Sequence, residues 1–143
     1  MKRVLIPVDG SEYSARAVQA MLAERQRYAD PDELELHLVH VEPVLTRDIS
    51  RFLSHEQLAE VRHEESEKAF APARALLDAA SVRYACHEAA GHAAEVVTQL
   101  AETLQCDQIT MGTHGRGAVA DLLLGSTTLR VVHLSNVPVL LVK

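Results

Sequence analysis

The stretch Val4-Leu5-Ile6-Pro7-Val8-Asp9-Gly10-Ser11 is an uninterrupted apolar run that ends in a polar turn. A half-exposed strand alternates apolar and polar residues, whereas a strand buried on both faces is apolar throughout. The run therefore predicts a buried strand over Val4–Val8. Ser11 is a favourable helix cap and Glu12 favours the positive end of a helix dipole, so a helix is predicted to follow.

The same succession of strand and helix repeats along the chain. Further strands are predicted at Glu35–Val41, Val82–Glu88, Gln108–Met111 and Pro138–Val142. Apolar residues at helical spacing predict helices that follow Ser11, Ser54, His92 and Ser126. The first of these helices is expected to end near Tyr28.

Two residues are expected to interrupt helical structure. Pro72 lies inside the apolar stripe of the second helix, where its missing amide donor should kink or divide the helix. Asn136 is expected to end the last helix in a left-handed conformation. The stretch from Val44 to about Ser54 has no clean periodicity and is predicted to be a mobile connection.

Strict alternation of strands and helices predicts a doubly wound α/β fold, with a five-stranded parallel sheet and right-handed crossovers. The chain has 143 residues, and we expect residues 1–143 to form a single domain. In such sheets a ligand binds beyond the carboxyl ends of the strands, where the strand order reverses. The residues that directly follow the strands are therefore the candidates for function.

Composition limits the classes of partner. The hydrophobic fraction of 48% is sufficient for a sizeable core, and the net charge of −6 disfavours binding to a nucleic-acid backbone. The apolar run at the start is too short for a signal peptide or a membrane span. The two cysteines, Cys86 and Cys106, are expected to be reduced and buried, and a cytoplasmic location is predicted.

A glycine pattern, Gly112-x2-Gly115-x9-Gly125-Ser126, follows the fourth predicted strand. Gly112 and Gly115 permit a tight turn and a close approach to a ligand, while the start of a helix at Gly125 offers free amides to phosphate oxygens. Hydroxyl donors stand beside this helix start at Ser126, Thr127 and Thr128. The chain has no G-x-x-x-x-G-K-[ST] sequence, which excludes a P-loop. On residue types alone, the glycines could equally serve only turns and a helix start.

Four segments of the chain resemble the universal stress protein family, in order and with matching spacing. They are the opening Val4–Ser11, the glycine pattern, the segment Asp107–Arg116 and the ending Asn136–Val142. The resemblance implies that family's Rossmann-like fold of the adenine nucleotide alpha hydrolase type, with strand order 3-2-1-4-5. It also implies the ATP-binding branch, because the G-x2-G-x9-G-[ST] pattern of that branch is intact.

The resemblance further implies roles in binding ATP, with magnesium. Pro7 would line the adenine side, Val41 would read adenine through its backbone, and Asp9 would approach the ribose or a bound magnesium ion. Met111 and Gly112 would flank the ribose and phosphates. The residues expected around the triphosphate are His114, Gly115, Arg116, Gly125, Ser126, Thr127 and Thr128.

Several of these residues also have a simpler interpretation. Asp9 could cap the first helix, and His114 and Arg116 could be exposed loop residues. No recognised metal-ligand spacing links the remaining histidines, and no metal site is predicted. The histidines expected to be structural or exposed are His37, His40, His55, His63, His87 and His92.

No recognisable catalytic motif is present, neither a Ser-His-Asp elbow nor an H-E-x-x-H sequence. The leading hypothesis is an ATP-binding regulator or binding module. A slow ATPase or phosphotransfer enzyme and a nucleotide-free dimeric interaction protein are the alternatives. The apolar strand Pro138–Val142 would be an aggregation-prone edge if left bare. A helix could cover it; the alternative, which the resemblance supports, is pairing with a second copy in a two-fold homodimer.

Overall fold

One parallel sheet organises the chain. The computed structural model describes residues 2–44, 49, 51–115 and 123–143. The strands are β1 (Lys2–Pro7), β2 (Leu34–Glu42), β3 (Tyr84–Ala90), β4 (Gln108–Gly112) and β5 (Val139–Val142). The described helices are α1 (Glu12–Arg25), α2 (His55–Ala79), α3 (Ala93–Thr103) and α4 (Ser126–Leu134), with a 3-10 turn at Pro31–Glu33. The sheet order is β3-β2-β1-β4-β5, which confirms the predicted α/β class and strand order.

Strand β1 lies between two apolar layers. Val4 and Ile6 are fully buried in the layer that α1 and α2 form, where Phe70 is the largest side chain. Leu5 is fully buried in the opposite layer, with Val97 of α3. Because successive side chains of a strand point to opposite faces, a strand covered on both sides must be continuously apolar.

The pairing of β1 with its two neighbours differs in length. With β2 it continues to the pair Pro7 and Val39, and the Val8 amide still donates to the Val39 carbonyl at 2.8 Å. With β4 it ends at the pair Leu5 and Ile109. The carboxyl ends of β1 and β4 therefore separate, at the position where the strand order reverses.

Helix α2 begins as predicted and continues through Pro72. Ser54 caps it by accepting a hydrogen bond from the Gln57 amide, and the Gln57 side chain accepts one from the Ser54 amide. Of the two outcomes predicted for Pro72, a kink or a division of the helix, division is wrong, since one helix spans His55–Ala79. Its buried residues on both sides of Pro72, Phe70 and Leu77, anchor the helix to the sheet and offset the lost hydrogen bond.

Helices α2 and α3 end in left-handed residues that are not glycine. Ser81 has φ 55° and Gln105 has φ 53°. After α2, the Val82 amide donates to the Leu77 carbonyl, and after α3 the Cys106 amide closes the helix in the same way. Val82, which was expected to begin β3, therefore belongs to the helix end.

The predicted ends of α1 and α4 are wrong in detail. Helix α1 stops at Arg25 rather than near Tyr28, because the Tyr28 amide bonds to the Arg25 carbonyl in a tighter turn. Asn136 is not among the residues of positive φ. Instead Ser135, with φ −69° and ψ 133°, leads the chain extended toward β5, and its hydroxyl donates to the Val137 carbonyl.

The two cysteines are free and differ in burial. Cys106 is buried, and this burial raises the pKa of its thiol. Cys86 is only partly buried, against expectation, because it lies on the edge strand β3. Within the described residues, no helix is both long enough and apolar enough to cross a membrane.

The left-handed residues predict a stabilising substitution. Ser81→Gly and Gln105→Gly should each raise the free energy of unfolding by about 0.5–1 kcal/mol, because glycine relieves the strain of a positive φ but is more flexible when unfolded. Denaturant unfolding measures the change. Ala80→Gly, at a neighbouring position with φ −87°, is the control and should bring no gain. An equal gain at Ala80 would contradict this explanation.

Candidate functional site

A cavity of about 450 Å³ opens at the carboxyl ends of β1, β2 and β4. Of the predicted site residues, Arg116 lies outside the described residues, and all the others line this cavity. Those that line it are Pro7, Asp9, Val41, Met111, Gly112, His114, Gly115, Gly125, Ser126, Thr127 and Thr128.

Sequence reasoning missed the other lining residues. They are Val8, Ser14, Val39, His40, Ala93 and Val97. Val39 and His40 directly precede Val41, which was a predicted site residue. Their position at the end of β2 could therefore have identified them as lining residues. Ala93 and Val97 are one helical turn apart in α3, and only the packing of that helix beside β2 brings them to the cavity.

Gly112 is required by packing. A Cβ added there would lie 2.7 Å from the Cβ of Tyr13 and 2.8 Å from the Tyr13 backbone. Tyr13 is in the first turn of α1, so the absence of a side chain at Gly112 lets α1 approach β4. The packing of α1 on β4 is therefore sufficient to explain why residue 112 is glycine.

Gly115 and Gly125 have different surroundings. A Cβ on Gly115 would lie 2.6 Å from Oδ2 of Asp9, so a carboxylate occupies this space. A Cβ on Gly125 would lie 3.3 Å from the Cα of His114, which places the start of α4 against the loop that follows β4. Neither glycine has a positive φ. Their small size, rather than their backbone freedom, permits the close approach.

The Asp9 carboxylate shapes the turn between β1 and α1. Its Oδ1 accepts hydrogen bonds from the Ser11 amide at 2.9 Å and from the Ser14 hydroxyl at 3.2 Å. The Ser11 hydroxyl in turn caps α1 by accepting from the Ser14 amide at 3.3 Å. Asp9 therefore supports the helix start, while its second oxygen lies against Gly115 in the cavity wall.

The start of α4 presents backbone donors to the cavity. The first backbone bond within α4 joins the Leu129 amide to the Gly125 carbonyl at 3.0 Å, and the described residues make no side-chain cap at Gly125. The amides of Ser126, Thr127 and Thr128 precede that bond, and such groups together with the helix dipole bind anions. Ser126 and Thr127 are exposed.

Thr128 has a structural task as well. Its buried hydroxyl donates to the Gly112 carbonyl at 3.0 Å and ties α4 to β4. The hydroxyls of Ser126, Thr127 and Thr128 were all expected to donate to a ligand. The Thr128 hydroxyl does not fit this expectation, because it already donates its proton to the Gly112 carbonyl. What this residue offers to a ligand is its backbone amide.

His114 is oriented by two neighbours. Its Nδ1 lies 3.0 Å from the hydroxyl oxygen of Thr113, and its ring centroid lies 5.2 Å from that of Tyr13. Tyr13 therefore contacts both Gly112 and His114, and it links α1 to the loop after β4 that lines the cavity.

A histidine pair on β2 and β3 lies outside the cavity. Nδ1 of His37 is 2.9 Å from Nε2 of His87, and Nε2 of His37 is 2.6 Å from a Glu35 oxygen. Hydrogen bonds from Arg3 and then His37 hold the pKa of Glu35 below its usual range. Burial, followed by the neighbouring His37, lowers the pKa of His87 and favours its neutral form. These contacts suit a structural role.

A second polar group lies between α2 and β3. His63, Glu67 and Glu88 bring ligand atoms within 4.8 Å of one another. Nδ1 of His63 is 2.8 Å from Glu88, and Glu67 accepts a hydrogen bond from Arg74 at 2.6 Å, which lowers the pKa of Glu67. Each carboxylate already has a side-chain partner, Glu88 with His63 and Glu67 with Arg74. These partners explain why the three side chains lie together.

Comparison with known proteins identifies the family. The sequence model of the universal stress protein family matches residues 1–143. The chain belongs to this family. A universal stress protein of Thermus aquaticus is 36% identical over 148 residues, which span 99% of this chain and 98% of that protein. Among solved structures, the hypothetical protein MJ0577 has a TM-score of 0.80 at 29% identity and matches 99% of this chain and 95% of its own.

Two more distant universal stress protein structures share the fold and hold nucleotides. One is a complex with cAMP, 23% identical with a TM-score of 0.68 over 99% of this chain and 97% of that chain. The other, from Arabidopsis thaliana, has AMP bound and is 14% identical with a TM-score of 0.67 over 100% and 92% of the two chains.

The distinct surroundings of the two loop glycines predict distinct effects. Gly112→Ala should lower the free energy of unfolding by about 1–3 kcal/mol, because the new methyl group meets the backbone of α1. Gly115→Ala should change it by less than about 1 kcal/mol, because the atom it meets is the end of the Asp9 side chain.

Denaturant unfolding compares the two variants. The amide NMR signal of Ser11, which donates to Asp9, should shift in Gly115→Ala as the carboxylate moves. Equal destabilisation by both substitutions would show that the Asp9 carboxylate is as rigid as the α1 backbone and would contradict this distinction.

Proposed function

We propose that this universal stress protein binds ATP, with magnesium, and acts as a nucleotide-dependent regulator of the stress response. The observation that carries the proposal is the amino end of α4, whose amides open onto a cavity that also has apolar walls. Phosphates favour such a helix start, and a base favours apolar surface. The nucleotides named for two structural neighbours, cAMP and AMP, support an adenine nucleotide.

In the proposed arrangement the adenine lies on the apolar walls of the cavity and the phosphates lie at the start of α4. Pro7 and Val41, at the ends of β1 and β2, would hold the adenine, while Asp9 would lie near the ribose or the magnesium ion. Met111 and Gly112 would flank the ribose and phosphates. The groups proposed around the triphosphate are His114, Gly115, Arg116, Gly125, Ser126, Thr127 and Thr128.

Binding rather than turnover is the proposed activity. Asp9 already accepts two hydrogen bonds within its own turn, which commits one of its oxygens to the fold. Hydrolysis needs a group that orients the attacking water, and the sequence suggests none. Slow hydrolysis remains the alternative, and release of ADP over time from purified protein measures it.

The helix-start hypothesis makes a prediction at Ser126. Ser126→Pro removes the backbone amide donor of the first helical residue. Proline is well accepted at this position of a helix. The preceding residue, Gly125, is extended with ψ 156°, which is compatible with a following proline. We expect the affinity for Mg-ATP to fall roughly tenfold or more, the value of a hydrogen bond to a charged group. Titration calorimetry measures it.

Ser126→Ala is the matched control, because it removes the hydroxyl and keeps the amide. It should retain most of the affinity. If both variants bind as tightly as the original protein, the phosphates do not lie at the start of α4.

Bound nucleotide gives a direct test of the whole proposal. Protein purified without added ligand should release adenine nucleotide when denatured. Mg-ATP at 100 times its dissociation constant should stabilise the protein by about 2.7 kcal/mol, seen as a rise in the unfolding temperature. The double variant Gly115→Val with Gly125→Val should lose this rise. No bound nucleotide and no rise with the unaltered protein would contradict ATP binding.

We further propose a cytoplasmic homodimer that forms through β5. This strand lies at the edge of the sheet, and a bare apolar edge invites pairing with another chain. Leu140 of β5 is 41% exposed, and Leu129 and Val132 of α4 are exposed as well.

A charge at the edge should separate the proposed dimer. Leu140→Lys should convert a particle with the mass of two chains into one with the mass of a single chain, as light scattering measures. Val61→Lys, at a similarly exposed apolar residue of α2, is the control and should leave the mass unchanged. A single-chain mass for the unaltered protein at high concentration would rule out the dimer.

A further inference from the structure

A second cavity, of about 320 Å³, lies at the opposite end of the sheet, where β2 and β3 begin. Strand β1 pairs with β2 from Leu34 onward, whereas β3 joins β2 only at the pair Leu36 and Tyr84. The first two residues of β2 therefore have no partner in β3. This difference in pairing leaves a notch, which the ends of α1 and α2 border at Arg25 and Val82.

Much of the wall of this second cavity is apolar. Leu34, Leu36 and Val82 line it, are at most 7% exposed and belong to the core layer between the sheet and helices α1 and α2. Tyr84 packs against the same layer, and the small side chain of Ala85 takes up little of the space. Such a wall favours a ligand with a compact apolar body, because burial removes apolar surface from water.

The acidic side chains of the second cavity already have cationic or hydrogen-bonding partners. Asp32 accepts a hydrogen bond from the Arg25 guanidinium at 2.9 Å. Glu35 accepts one from Arg3 at 3.0 Å, and its Oε1 lies 2.6 Å from Nε2 of His37. Each carboxylate is thus paired with an arginine, and neither leaves an uncompensated negative charge in the wall.

Arg83 differs from the other charged residues that line the second cavity. It is exposed, and the described part of the chain offers its guanidinium no hydrogen bond or ion pair. The neighbouring Tyr84 hydroxyl, by contrast, donates to Asp78 at 2.9 Å. The wall therefore carries one positive charge that its own residues leave uncompensated. A guanidinium presents parallel N–H donors that match the two oxygens of a carboxylate.

We propose that the second cavity binds a small amphipathic carboxylate, whose apolar body packs on Leu34, Leu36 and Val82 and whose carboxylate pairs with Arg83. Apolar walls with a few polar groups that fix orientation are typical of small-molecule sites. Charge complementarity selects the carboxylate, since one unpaired guanidinium matches one negative charge. The inference does not depend on the nucleotide site, because the two cavities lie at opposite ends of the strands.

Phenylacetate is the probe, because it joins a compact aromatic body to one carboxylate. Its titration into nitrogen-15-labelled protein should shift the backbone amide signals of Arg83 and Ala85. We expect a dissociation constant of roughly 1 mM, as befits a ligand of about ten non-hydrogen atoms. Phenylacetamide has nearly the same shape without the charge, and it should bind roughly tenfold more weakly.

Two substitutions test the two parts of the site. Arg83→Gln removes the charge at an exposed position and should weaken phenylacetate binding roughly tenfold, the value of a hydrogen bond to a charged group. Ala85→Leu keeps Arg83 but fills part of the cavity, and it should weaken binding as well. Arg51→Gln is the matched control, since Arg51 is also exposed but lies outside the second cavity, and it should leave the affinity unchanged.

Three results would overturn the inference. They are the absence of any shift in these amide signals at roughly 10 mM phenylacetate, equal affinities for phenylacetate and phenylacetamide, and equal phenylacetate affinities of Arg83→Gln and Arg51→Gln. None of them bears on the nucleotide cavity at the carboxyl ends of the strands. Conversely, a failure to bind ATP would overturn the proposed function and leave the carboxylate site standing.

Discussion

The central strand β1 is the constraint on which the other elements depend. It is hydrogen-bonded to β2 on one side and to β4 on the other, and Val4, Leu5 and Ile6 are fully buried. Burial of aliphatic side chains is worth about 25 cal/mol per Å² of apolar surface removed from water. Because these side chains alternate between faces, each face needs its own helical layer. Helices α1 and α2 supply one layer, and α3 and α4 supply the other.

The cavity follows from the way β1 leaves its neighbours. Beyond Leu5 the strand stays paired with β2 but not with β4. Strand β4 in turn stays paired with β5, and the Thr113 amide still donates to the Val142 carbonyl at 3.1 Å. Each of the two separating strands is thus held by its outer partner. The backbone creates the opening, and the first turns of α1 and α4 line it.

The glycine pattern combines tasks that a motif alone does not distinguish. Gly112 makes room for Tyr13 and so for the packing of α1 on β4, which is a property of the fold. Gly115 makes room for the Asp9 carboxylate, and Gly125 opens α4 toward the cavity. A chain could keep the first glycine for stability without a ligand. Gly115 and Gly125 are the positions at which a phosphate site, rather than the packing of the fold, favours glycine.

The sequence by itself determined the element order and the α/β class, because buried strands and helix starts have local signatures. The run Val4–Val8 and the cap at Ser54 are examples. The sequence indicated most of the cavity lining through the residues that follow the strands and through the family resemblance. Only the tertiary structure decided that α2 passes through Pro72, that Ser135 rather than a left-handed Asn136 leads out of α4, and that His40 joins two strands across the cavity wall. These outcomes depend on partners distant in the chain, since packing energy and the supply of hydrogen-bond acceptors are set by the fold and outweigh local preference.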